Sequence, residues 1–370
     1  MISQSYARDD QPHLRRRLML GVSLAATAIA GATVGAAAQG MGAQPAGSNN
    51  YGANDPLPAA AAAANQQFFP GFRQSFIKTE GVEVRGKMAS GAVINTLVGG
   101  KGPPLLLIHG HPETHVTWHK VATKLAERFT VVLTDLRGYG DSSKPKGGPD
   151  HIDYSKRAMG ADQVQVMHAL GFDKFQVVGH DRGGRVVHFM LMDHPEAVTR
   201  GVTLDVAPTD LMYAQTDKAF ATKYFWWFLQ IQPAPFPEEM MGAKPGFYLT
   251  DHLTVQSKTP GAVTPAAYAE YLRCFSEPAC LHGICEDYRA AAGIDSELLE
   301  ADRKAGKKFT QPIMAIWGEK GTVGQMFDVI GLWKQEAADV SGHGLPCGHL
   351  IPEEDPEGLL QAVSPFLVAT

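Results

Sequence analysis

Cysteine is scarce in this chain of 370 residues, which holds only Cys274, Cys280, Cys285 and Cys347. Four are too few for a disulfide framework, and no pair of C-x-x-C units offers a structural zinc site. An excess of charge of one sign is missing too. Lys and Arg number 33 against 38 Asp and Glu, a formal charge of −5, and no stretch dense in Lys or Arg follows residue 20. The chain therefore has no basic footprint for a phosphate backbone, and nucleic acid is excluded as an expected partner. There is no internal repeat, and low-complexity sequence is confined to the N-terminal part. What remains is an ordinary globular balance, 44% hydrophobic and 19% charged residues. Stability must come from a buried core, which roughly 300 residues supply without cross-links.

Before that core, Arg15-Arg16-Arg17 leads into an apolar run from Leu18 to Ala38 that is rich in Ala and Gly and ends in Ala36-Ala37-Ala38. The pattern resembles a twin-arginine export leader with an A-x-A cleavage site, so removal after Ala38 and a periplasmic or secreted location are expected. The alternative is an uncleaved anchor, since the run approaches the ~20 residues that a membrane span needs. Its Ala, Gly and Thr content favours cleavage. Residues 39–67 are rich in Gly, Ala, Pro and Asn without an apolar period, which predicts a disordered linker.

From residue 68 onward, short apolar runs alternate with segments of helical period. Residues 105–109, 131–135, 175–179, 202–206 and 313–317 read as buried strands, and 121–128, 156–170, 185–193 and 356–367 as helices. The alternation predicts an α/β fold, a mostly parallel sheet with helices on both faces. It stops at about residue 209. The stretch 209–301 has no strand run and is rich in aromatics and Pro, with helical pieces at 218–230 and 265–275, and it reads as a helical cap inserted between two strands. The core is then expected in two parts, 68–208 and 302–370.

Gly179-His180-Asp181-Arg182-Gly183 follows one predicted strand and opens a helix. A G-x-D-x-G turn in that context resembles the nucleophile elbow of α/β-hydrolases, with Asp where esterases carry Ser. By itself Asp181 reads more readily as a helix N-cap, and the weight comes from the surrounding motifs agreeing. As a nucleophile it changes the chemistry, because an ionised carboxylate displaces a leaving group from saturated carbon without a base and gives an aspartyl ester. A base is needed only to activate the water that hydrolyses that ester. His349, in Pro346-Cys347-Gly348-His349, is the candidate. Asp205, at the end of the strand predicted at 202–206, is the acid expected to orient it, with Glu319 and Asp328 as rivals.

His109-Gly110-His111-Pro112 closes the strand at 105–109 and has the form of an oxyanion loop, in which the backbone N–H of His111 would pair with that of Arg182. His111, His115 and His119 also stand at i, i+4 and i+8, the spacing of ligands on a helix face. Pro112 argues against a helix there and no acidic ligand accompanies them, so neither a metal nor another cofactor is expected.

Further stretches make the pattern more specific: Thr114-His115-Val116-Thr117-Trp118-His119, Tyr154-Ser155-Lys156-Arg157 and Cys285-Glu286-Asp287-Tyr288-Arg289. With them, the chain from Phe69 to its C-terminus resembles the haloacetate (fluoroacetate) dehalogenases of the α/β-hydrolase superfamily. The resemblance implies Asp181 as nucleophile, His349 as base and Asp205 as its acid, with Arg182 and Arg185 holding a substrate carboxylate. In that family a His-Trp pair and a Tyr of the cap bind the departing halide; here Trp226 matches the Trp and Tyr271 the Tyr, but the His position reads Phe225. With one donor missing, chloro- and bromoacids are expected to react more readily than fluoroacids.

An epoxide hydrolase would use the same Asp, His and acid, with Tyr271 and one of Tyr213, Tyr224 or Tyr248 donating to the epoxide oxygen. Arg182 and Arg185 are ill suited to a neutral epoxide. An exported binding protein without activity is a third reading, disfavoured because every catalytic position is filled. The expected partner is a small molecule; membrane contact would come only through an uncleaved leader, and a homodimer stays open.

Overall fold

The computed structural model describes residues 65–367. The expected leader, all but the last three residues of the expected linker and residues 368–370 lie outside the described residues.

An eight-stranded sheet carries the fold, in the order β1-β4-β6-β5-β7-β8-β9-β10. The strands are β1 (Arg73–Lys78), β4 (Val93–Gly100), β5 (Pro104–Ile108), β6 (Thr130–Thr134), β7 (Phe175–His180), β8 (Val198–Leu204), β9 (Ile313–Gly318) and β10 (Val340–Leu345); β2 (Val82–Val84) and β3 (Lys87–Ala89) pair as a separate ribbon. β1 pairs with β4, and β4 with β6, antiparallel; every pairing from β6 across to β10 is parallel. Parallel strands are covered on both faces, which is why Leu105, Leu106, Leu107 and Ile108 form a continuous apolar run with no exposed member. The expected strands and helices are found, with ends shifted by one to a few residues, as at Lys156–Ala169 and Pro356–Val363.

The order places β6 on one side of β5 and β7 on the other, so the chain changes direction there. The crevice at the carboxyl ends of β5 and β7 is where such sheets bind ligands. Asp181 lies just beyond β7 and the His109–Pro112 turn just beyond β5. Asp205 follows β8, and His349 lies beyond β10. All four strand ends open on one rim of the sheet.

Helices fill the chain between β8 and β9: Thr209–Ala214, Lys218–Lys223, Phe225–Gln230, Phe236–Gly242, Pro245–Gln256, Pro265–Phe275, Pro278–Ala290 and Ser296–Lys304. Pro245, Pro265 and Pro278 each stand in a first turn, where the missing N–H removes no intrahelical bond. The single helix expected at 218–230 is broken at Tyr224, whose φ of −115° and ψ of 40° are not helical. Among the described residues no helix is long and apolar enough to cross a membrane. All four cysteines are free and buried.

Candidate active site

The turn after β7 is tight because Gly179 and Gly183 touch: a Cβ on Gly179 would meet the Gly183 carbonyl oxygen at 2.4 Å. Asp181, between them, has φ +45° and ψ −111°, a conformation that a residue with a side chain rarely adopts. Such strain costs roughly 1–3 kcal/mol and persists only where the surroundings impose it. Here the Asp181 N–H is held by the Leu204 carbonyl at 3.1 Å. The turn lifts the carboxylate above the sheet rim. The His111 N–H donates to Asp181 Oδ1 at 3.0 Å, which leaves Oδ2 as the free oxygen, 3.8 Å from His349 Nε2.

On the far side of that imidazole, Nδ1 donates to Asp205 Oδ2 at 2.5 Å. The second Asp205 oxygen accepts from the Gly318 N–H at 2.9 Å, so the carboxylate is fixed by the neighbouring strand β9. Asp205 carries a positive φ of 54°, which turns its side chain back toward His349. The rivals stand elsewhere in the hydrogen bonding: Asp328 caps the helix Val329–Trp333, and the backbone of Glu319 bonds to Leu345.

A buried cation supports the His349 loop. His180 donates to Glu113 Oε2 at 2.9 Å and to the His349 carbonyl at 2.8 Å. Burial opposes its charge, but Glu113 raises the imidazole to about 9, so both ring nitrogens are donors at neutral pH. Burial also opposes the ionisation of Asp181; the charges of His349, Arg182, Arg185 and His180 outweigh it and hold this carboxyl well below its usual range. The nucleophile candidate is therefore ionised at neutral pH.

Arg182 and Arg185 differ in how far they are committed. Arg182 donates through Nε and Nη2 to both carboxylate oxygens of Asp287, each at 2.8 Å, and its guanidinium lies over the Tyr288 ring at 4.1 Å. Lys156 and the Tyr139 hydroxyl bind the same carboxylate, which ties the cap helix Pro278–Ala290 to the core. Arg185 has no carboxylate within ion-pair distance among the described residues. Its Nη1 donates to Thr209 Oγ1 at 2.8 Å, its plane lies 4.6 Å from the Trp227 ring, and its Nε has no partner.

Cap residues close over Asp181. Trp226 is buried, its ring edge-on to that of His252 at 4.4 Å, and His252 in turn meets His111 at 4.9 Å. Gln230 reaches His111 Nε2 at 3.2 Å, and burial pushes that imidazole down to about 3. The sequence reading of the leaving-group end needs two corrections. The Tyr271 hydroxyl donates to Glu353 Oε1 at 2.6 Å, so it is committed away from Asp181. Phe225 is 43% exposed and faces solvent. Tyr288 lies on the Arg182 guanidinium and 5.5 Å from the His111 ring, so it is a cap tyrosine in contact with the cluster.

His252, Gln230 and Tyr288 were not singled out from sequence. Tyr288 had a signal, since it lies in the Cys285–Arg289 stretch beside Asp287. His252 had none, because it is brought in by cap packing alone. The histidines at 111, 115 and 119 diverge: His115 bonds Asp135 at 2.9 Å and His119 the Val116 carbonyl at 2.9 Å. Among the described residues no group of three or more His, Cys, Asp or Glu is arranged to hold a metal. A hollow of about 720 Å³ lined by Thr250, Leu253, Tyr268 and the 257–265 loop lies on the cap and does not include Asp181.

The arrangement is an ionised carboxylate with one oxygen on the His111 N–H, a His-Asp pair facing the other oxygen, and a buried guanidinium, Arg185, with no carboxylate within ion-pair distance among the described residues. Residues 103–356 match the alpha/beta hydrolase fold family. A fluoroacetate dehalogenase of Burkholderia sp. is 40% identical over 78% of this chain and 94% of that protein. A soluble epoxide hydrolase of Corynebacterium sp. (strain C12) is 31% identical over 75% of this chain and 95% of its own. A solved protein of Nostoc sp. PCC 7120, provisionally called an alpha/beta hydrolase, is 52% identical with a TM-score of 0.74, covering 80% of this chain and 99% of that one. An eight-stranded sheet of this order and a match over most of the folded chain lead to one conclusion: the protein is an enzyme of the alpha/beta hydrolase fold family, in the branch that holds fluoroacetate dehalogenase and epoxide hydrolases.

Proposed function

We propose that this enzyme hydrolyses the carbon–halogen bond of a small 2-haloacid. The observation that carries this reading is Arg185, a buried guanidinium whose charge acts on the Asp181 carboxylate but which has no carboxylate within ion-pair distance among the described residues. A buried cation left without a partner is costly, and an anionic substrate removes that cost while placing its α-carbon next to Asp181. Arg182 faces the same space, though Asp287 already balances its charge.

With the carboxylate held, Asp181 Oδ2 attacks the α-carbon and the halide leaves with the bonding pair, giving an aspartyl ester. His349 Nε2 then takes a proton from water, which adds to the ester carbon. The negative charge builds on Oδ1, where the His111 N–H is already in place at 3.0 Å and the Arg182 N–H at the helix start is the second donor expected. Collapse breaks the ester bond, the His349 imidazolium gives its proton to the departing alkoxide oxygen, and Asp181 and a 2-hydroxyacid are freed. Asp205 holds the imidazole so that Nε2 is the basic nitrogen.

A second reading, epoxide hydrolysis, is favoured by one observation: the hydroxyls of Tyr213 and Tyr224 are buried without partners, and an epoxide oxygen needs donors. Arg185 counts against it. The deciding assay compares halide and glycolate release from chloroacetate with diol formation from styrene oxide. Halide release supports the dehalogenase reading, diol alone replaces it with the epoxide reading, and neither product overturns both.

A further inference from the structure

The backbone that carries His349 is held from two sides. Its N–H donates to the Gln256 carbonyl at 3.2 Å, at the end of the cap helix Pro245–Gln256, and its carbonyl accepts from His180 of the core at 2.8 Å. Glu354, buried five residues further on, adds a clamp across the same junction. Its Oε2 accepts from the Gly348 N–H at 3.0 Å and from the cap's Lys258 N–H at 2.7 Å, and its Oε1 accepts from the Leu350 N–H at 2.9 Å. One carboxylate thus satisfies the N–H groups on both flanks of His349 together with one of the cap. The approach is so close that position 348 has no room for a side chain: a Cβ there would stand 2.6 Å from the Gln256 carbonyl oxygen and 2.8 Å from the Lys258 nitrogen. Asp181 is held by other groups, the His111 N–H and the Leu204 carbonyl.

We propose that Glu354 is a positioning residue for His349, which by gripping both flanks of the base and the cap's Lys258 N–H at once makes the placement of the imidazole depend on the seated cap. The inference rests on the two-step haloacid reading of the same site. Glu354 then serves one half-reaction only. Displacement of the halide uses Asp181, which the clamp does not touch. Hydrolysis needs His349 Nε2 to take a proton from water while that oxygen bonds to the ester carbon, and a base mounted on a loosened loop meets that geometry less often. A cap that completes the base in this way delays hydrolysis until the substrate is enclosed.

The test follows chloride release and intact-protein mass with chloroacetate in the wild type, Glu354→Ala, Glu354→Gln and Gly348→Ala. Because kcat/KM reports the steps up to chloride release, a defect confined to ester hydrolysis lowers kcat and leaves kcat/KM unchanged. Glu354→Ala is expected to lower kcat roughly a hundredfold, the effect of a misplaced catalytic group, with a stoichiometric chloride burst and a carboxymethyl adduct that accumulates. Glu354→Gln, which keeps one acceptor oxygen, should lose roughly tenfold. Gly348→Ala, which forces the cap off the loop, should show the same split. Amide hydrogen exchange in Glu354→Ala should quicken at Gly348, Leu350 and Lys258 together. Should Glu354→Ala fail to fold by circular dichroism, Glu354→Gln and Gly348→Ala carry the same prediction. An equal fall of kcat and kcat/KM would make Glu354 merely structural, and unchanged exchange at Lys258 would remove the tie to the cap; either overturns the assignment. A wild type that releases chloride, with variants that keep its kcat, removes Glu354 alone. A wild type that releases none removes the haloacid reading and this assignment with it.

Discussion

The two walls of the site are built to different rules. On the sheet side, the groups expected to handle protons are held by partners within the protein: Asp181 by the His111 N–H, His349 by Asp205, and His180 by Glu113 and the His349 carbonyl. On the cap side, and on His111 where it meets the cap, polar atoms are left open: His252 Nδ1, Gln230 Oε1, the hydroxyls of Tyr213 and Tyr224, and His111 Nδ1. A saturated wall is rigid and presents one chemistry. An unsaturated wall waits for a ligand, and which ligand satisfies it sets specificity. Changes on the sheet side should therefore abolish turnover for every substrate, and changes on the cap side should re-rank substrates.

The largest effect is expected at Asp181. Asp181→Ala should lower kcat by roughly 10⁴-fold or more for any substrate, with an unchanged circular dichroism spectrum, because no other nucleophile is present for the first step. Activity above a few per cent would break the comparison at its root.

Arg185 sits on the boundary between the walls. Arg185→Met keeps the stem against Trp227 and removes the charge. KM for chloroacetate should rise roughly ten- to hundredfold, the range for loss of a charged hydrogen bond, while hydrolysis of any neutral epoxide stays the same. Equal losses on both substrates would make Arg185 a structural residue of the sheet wall.

The smallest effect concerns stability. His180 holds its proton to about 9 against an ordinary 6.5, so its contribution is complete below 6.5 and is lost as pH rises through about 9. Glu353, where burial outweighs the Tyr271 hydrogen bond, is raised to about 8 from an ordinary 4.5, so its ionisation also removes stability as pH climbs toward 8. The two slopes share a sign. Thermal scans should show Tm falling by about 5 °C between pH 6.5 and 9. Glu353→Gln should flatten the part of that slope below 8. A Tm that rises over this window would contradict the charge assignments behind His349.

The same division decides what the sequence revealed. Sheet-side groups sit at strand ends within short, spaced motifs, so Gly179–Gly183 and His109–Pro112 carry their geometry in local sequence. The turn needs glycine at contact distance, and that requirement shows in a single chain. Cap-side groups come together across helices, and no spacing announces them. Tyr271 and Tyr288 are both buried aromatics on adjacent cap helices, and only packing decides that one faces Glu353 and the other Arg182. His252 lies 26 residues after Trp226 in sequence yet in ring contact with it. At the sheet edges the reading also fell short: β1, with polar residues at both ends, and β10, with Ser341, Gly342, His343 and Gly344 in its middle, lack the apolar run that marks a buried strand.

One measurement bears most directly on the covalent, two-step account. In His349→Ala the displacement step needs no base, while hydrolysis of the ester does. Intact-protein mass spectrometry after incubation with chloroacetate should show the enzyme carrying one carboxymethyl group, with a single stoichiometric burst of chloride and the modification mapped to Asp181. An unmodified mass with chloroacetate bound, or steady turnover at the wild-type rate, would contradict the account.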